Sequence, residues 1–123
     1  MKKSEEEEKM RTFILKKSED YIPSESKKRK SSVKLPVEFW EEVLREFNSV
    51  FNNIAIRLKI KYPKLTDRQI ILACLIKTGL DSYKITEYLG LSKTNLRTIK
   101  SRLKNILNIS GNKKSLENFL KEF

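Results

Sequence analysis

Between Lys93 and Leu107 the chain places five basic residues and no acidic one: Lys93, Arg97, Lys100, Arg102 and Lys104. On a helical wheel of about 100° per residue, turning Leu96, Ile99, Leu103 and Leu107 inward leaves Thr94, Arg97, Thr98, Ser101 and Asn105 facing outward. Lys93, Lys100, Arg102 and Lys104 fall on the flanks. A helix that is merely solvated mixes charge signs, because opposite charges at i,i+4 stabilise it. A face of one sign suits a polyanion. The chemistry it offers is recognition: hydroxyl and guanidinium groups for base edges, flanking cations for phosphates. The bland alternative, an ordinary basic surface helix, stays open at this point.

Reaction chemistry finds little to work with. The chain has no histidine and one cysteine, Cys74, set within an apolar run. It holds no Gly-rich phosphate loop, no Cys/His metal spacing and no nucleophile beside a base. No enzymatic activity, metal or cofactor is therefore expected, and Cys74 reads as a buried inert thiol. Its isolation also favours a reducing, cytoplasmic compartment.

A length of 123 residues accommodates one compact domain plus a tail. The net charge of +11 favours polyanions, nucleic acid before an anionic membrane surface. No stretch is long and apolar enough to span a bilayer, so a membrane is not expected among the partners.

Three zones position the basic face. Residues 1–35 read as a flexible, charged N-terminal segment, with 11 basic and 7 acidic residues up to position 34. Within it, Glu5 to Arg11 is compatible with a short solvated helix. Lys27 to Lys30 read as a phosphate-grasping arm, as a nuclear signal in another cell type, or simply as solvated linker.

Residues 36–62 predict an amphipathic packing helix. Pro36 suits its first turn, Glu38, Glu41 and Glu42 its positive end, and Tyr62-Pro63 its termination. Its apolar positions are Trp40, Val43, Leu44, Phe47, Phe51, Ile54 and Leu58. From 35 to 64 the chain is nearly neutral, with 5 basic and 4 acidic residues.

Residues 63–123 predict four short helices. Thr66 with Gln69 has capping-box spacing, and the run Ile70 to Ile76 is apolar on all sides, so it needs cover from more than one direction. The Trp40–Leu58 helix is expected to supply one such cover. Gly79 stops the apolar helix. Asp81 or Ser82 caps a two-turn helix with Ile85, Tyr88 and Leu89 on its apolar face. Gly90 makes a tight turn, and Ser92 caps the basic helix. Two short helices joined by a glycine turn and leaning on a third describe a helix-turn-helix.

From Leu65 to Leu107 the sequence resembles the LuxR/GerE-type helix-turn-helix domain, to which the four-helix C-terminal domain of sigma factors is a structural cousin. The resemblance rests on Leu65-Thr66-Asp67-Arg68-Gln69, Gly79, Lys84-Ile85, Leu89, Leu91-Ser92 and Asn95-Leu96-Arg97. Three positions depart from the pattern: Gln69 for glutamate, Thr86 for a small alanine, and Ile99 where many members have histidine. The last bears on which bases are read.

The resemblance implies an all-α fold: a small bundle containing a four-helix LuxR/GerE-type unit, preceded by an amphipathic helix and a disordered basic tail. It implies a transcription regulator that binds double-stranded DNA by inserting a recognition helix, about 93–107, into the major groove. Lys93, Thr94, Arg97, Thr98 and Ser101 would lie on or near bases, with Lys84, Lys100, Arg102 and Lys104 on phosphates. The final helix, through Leu116, Phe119, Leu120 and Phe123, would either join a homodimer or close the core. An upstream sensor or RNA polymerase is a further expected partner. The alternative is a protein-interaction module of a larger signalling assembly, or a sigma-like or anti-sigma-like factor on the same fold.

Overall fold

The computed structural model describes residues 2–21, 35–109 and 116–123. It is a bundle of seven helices with no strand among the described residues. They are α1 (Lys2–Tyr21), α2 (Val37–Val50), α3 (Ile54–Lys61), α4 (Asp67–Lys77), α5 (Ser82–Leu89), α6 (Lys93–Ile106) and α7 (Leu116–Glu122).

Helix α4 is the axis of the bundle, because its sequence leaves it no polar face to give to water. Leu72, Ala73, Cys74 and Leu75 have no exposed surface, and α2, α3, α6 and α7 all pack on it. Its start is fixed by a complete capping box: the Thr66 hydroxyl accepts from the Gln69 amide at 3.2 Å, and the Gln69 side chain accepts from the Thr66 amide at 2.9 Å. At its other end Gly79 takes φ +83°, which side chains rarely adopt, and the Arg11 guanidinium lies 2.9 Å from where a Cβ would stand and would have to shift to admit one.

Burial pushes the Cys74 thiol up to about 12, against a smaller downward pull from Lys77. The thiolate is the reactive form, so the folded protein is expected to resist alkylation at neutral pH. Mass spectrometry after iodoacetamide should show modification only once denaturant is added; rapid labelling of the native protein would contradict the packing around α4.

The single amphipathic helix expected over 36–62 is two helices. Asn52 and Asn53 both lie in the left-handed region, at φ 55° and 60°, which breaks the helical path between α2 and α3. Asparagine tolerates that region better than most side chains. The break is sealed by Asn48, whose Oδ1 accepts from the Ala55 amide at 2.9 Å. Arg57 reinforces it by donating to the carbonyls of Phe51 and Asn52.

Periodicity places the inward residues with one displacement. Val43, Phe47, Phe51, Ile54 and Leu58 are buried and Leu44 is half-buried, but Phe39 takes the core position while Trp40 is half-buried beside it. The Phe39 ring meets Tyr21 and Trp40 edge-on, at 5.7 and 4.8 Å.

The N-terminal segment departs from the expected flexible tail over residues 2–21, which form α1. Met10 and Ile14 are wholly buried and Ser18 nearly so, a stripe one turn apart at each step. Tyr21 donates to a Glu42 carboxylate oxygen at 2.9 Å, and Lys17 approaches the same oxygen at 3.5 Å. Arg11 donates to the carbonyl of Thr78, at the end of α4. The stripe is narrow and its flanks heavily charged, so composition hid it. Residues 22–34, with Lys27 to Lys30, lie outside the described residues.

No helix among the described residues is long and apolar enough to cross a membrane.

Candidate nucleic-acid interface

The segment from Asp81 to Leu107 is built from local signals that agree with one another. Asp81 caps α5, its carboxylate accepting from the Lys84 amide at 2.8 Å. Gly90 ends α5 in the left-handed conformation at φ 66°, and the Thr86 carbonyl accepts from both Gly90 and Leu91. Ser92 then caps α6, its hydroxyl accepting from the Asn95 amide at 3.1 Å. Arg68, from the first turn of α4, donates to the Leu89 carbonyl at 3.1 Å and ties the turn to the rest of the bundle.

Helix α6 is anchored by Leu96, Leu103 and the following Leu107, all buried, with Ile99 and Ile106 half-buried beside them. Its inward stripe is the one the wheel predicts, so the opposite side chains turn to solvent. Lys93, Thr94, Arg97, Thr98 and Ser101 are all exposed, as are Arg102, Lys104 and Asn105. Among the described residues Lys93, Arg97, Arg102 and Lys104 form no ion pair. The Thr98 hydroxyl bonds back to the Thr94 carbonyl at 3.1 Å, which orients it along the helix while leaving its lone pairs available.

Two of the expected phosphate contacts are engaged within the chain. Lys100 is half-buried and lies 3.4 Å from a Glu117 oxygen of α7. At Glu117, burial raises the carboxyl, but its own backbone amide, Lys100 and Lys104 outweigh that and hold it below the usual range. Lys84 lies 3.8 Å from Glu87 along α5 and 5.9 Å from the Tyr88 ring centroid. Both pairs are open to water and worth little, so a phosphate can compete for either lysine.

The expected dimer contact on the last helix divides. Leu116 and Leu120 are buried against α4 and close the core of a single chain. Phe119 and Phe123 are half-buried, with Arg57 stacked 5.0 Å above the Phe123 ring. Leu116 and Leu120 thus fill the core of the single chain, whereas Phe119 and Phe123 keep part of their surface open.

Two contributors escaped sequence reasoning. Ser82 lines a cleft with Lys93, Leu96, Arg97 and Lys100, so the amino end of α5 opens toward the basic flank of α6. Its place one residue past the Asp81 cap was the available signal. Lys77 is buried and donates to the carbonyls of Leu120 and Lys121 at 2.8 and 3.2 Å, fixing the end of α7. Its ammonium also lies 5.1 Å from the Phe51 ring centroid. No local pattern announces such a lysine, because its partners are 43 and 44 residues away.

Among the described residues no group of three His, Cys, Asp or Glu side chains is placed to hold a metal ion. Comparison of the chain with protein-family models, with curated proteins and with solved structures returned no match.

Proposed function

We propose that this chain is a DNA-binding regulator in which α5, the Gly90 turn and α6 act as a helix-turn-helix, with α6 entering the major groove. The observation that carries the reading is the outward face of α6. Lys93, Thr94, Arg97, Thr98 and Ser101 form one exposed strip, hydroxyls interleaved with cations and no carboxylate on the same helix. A non-specific polyanion binder needs the cations but not the hydroxyls between them. A protein-docking helix would carry exposed apolar groups on that strip, and here Leu96 and Leu103 point inward.

In this reading Arg97 and Thr98 meet base edges at the centre of the strip, with Thr94, Ser101 and Lys93 on either side. Arg102 and Lys104 hold phosphates directly, and Lys100 and Lys84 do so by exchanging a carboxylate partner for a phosphate. In the same reading the cleft lined by Ser82, Lys93, Arg97 and Lys100 receives a backbone phosphate through its cations.

Selection from a random duplex library tests the specific part of the reading. The wild type is expected to enrich one short site. The double variant Thr94→Val, Ser101→Ala should retain non-specific affinity and lose about 1–3 kcal/mol of preference for that site at the positions read. Equal enrichment of all sequences by the wild type would reduce the reading to non-specific binding.

A further inference from the structure

Helices α2, α3 and the start of α4 leave a groove lined by Leu44, Ala55, Ile56, Lys59, Ile60 and Asp67, with Ile70 at its floor. None of these residues belongs to α6. Ile56 and Ile60, one turn apart on α3, are 51% and 74% exposed, which is unusual for branched aliphatics beside so complete a core. We propose that this groove is the contact through which two copies of the chain pair about a twofold axis, α3 against α3.

Charge selects the occupant. A second copy brings its own net charge of +11, so two chains repel wherever their basic surfaces meet. The zone from 35 to 64 is close to neutral, with 5 basic and 4 acidic residues. The groove itself carries one cation, Lys59, and one anion, Asp67. Lys59 donates to the Leu65 carbonyl at 2.6 Å, which holds its ammonium beside the start of α4. A twofold contact is self-complementary: Lys59 of each copy faces the other's Asp67, while Ile56 and Ile60 cover their counterparts. A strongly acidic or strongly basic partner would leave one of those charges opposed by its own sign. The groove uses no residue of α6, and the pairing takes over the role expected of α7, whose Leu116 and Leu120 are already buried.

The inference does not depend on DNA binding, and its test contains no DNA. Sedimentation equilibrium of the full chain over low-micromolar to near-millimolar concentrations should show mass rising from one chain toward two. Ile60→Glu, at a position too exposed to unfold the bundle, should stay monomeric with its circular dichroism and melting unchanged. Lys59→Glu alone and Asp67→Lys alone should each stay monomeric, since each sets like charges face to face twice. Mixed in equal amounts, the two variants should dimerise. The carboxylate introduced at position 59 of one chain then meets the ammonium introduced at position 67 of the other, and across the second contact the unaltered Lys59 meets the unaltered Asp67. A wild type that remains monomeric throughout overturns the proposal. So does a dimer that survives Ile60→Glu, or folded charge variants that fail to pair when mixed.

Discussion

Replacing Arg97 with alanine is expected to weaken binding to the selected duplex by roughly 5- to 150-fold, about 1–3 kcal/mol for a guanidinium that reads a base edge. Arg97 is exposed at the centre of the α6 strip and forms no ion pair among the described residues. Its loss should therefore move stability by no more than about 0.5 kcal/mol. Anisotropy titration beside a thermal melt separates the two effects. Unchanged affinity in a variant of unchanged stability would remove the outward face of α6 from the interface.

The largest expected loss of stability follows from Phe47→Ala. Phe47 has no exposed surface and stacks on Phe51 with ring centroids 6.2 Å apart. Truncating a buried phenylalanine costs about 3–5 kcal/mol. A bundle of this size has roughly 5–15 kcal/mol in all, and each kcal/mol lowers the melting temperature by roughly 4–8 °C. Because α2 and α3 both pack on α4, the loss should appear in a single transition. Trp40 fluorescence reports the α2 region, and circular dichroism reports every helix. The two should melt together in the wild type and in the variant. Melting of Trp40 well before the remaining helices would make α2 and α3 a separate unit.

What was legible in the sequence was what local chemistry alone decides. Thr66 with Gln69, Asp81, Gly90 and Ser92 sit where caps and a left-handed turn are needed, and each makes the predicted hydrogen bond or takes the predicted φ. The period of Leu96, Leu103 and Leu107 fixed which side of α6 faces water, and that choice determined most of the candidate face.

What was not legible depended on distant partners. The break at Asn52-Asn53 interrupts an unbroken apolar period, because Asn48 and Arg57 satisfy the backbone that the break exposes. Phe39 and Trp40 are adjacent, and only α1 packing on α2 decides which one goes inside. Helix α1 itself rests on a few apolar residues amid charge, and it is held by Tyr21, Lys17 and Arg11 reaching α2 and the end of α4. Lys100 read as a free cation until α7 folded back and brought Glu117 to it.

Binding of duplex DNA by the charged face of α6 is best checked through affinity for a random duplex across a salt series, with Lys104→Ala beside the wild type. The expected log-log slope is about −0.9 for each phosphate neutralised, flattened by about one unit when Lys104 is removed. A folded wild-type protein that shows no binding at low salt would contradict the proposed role of α6.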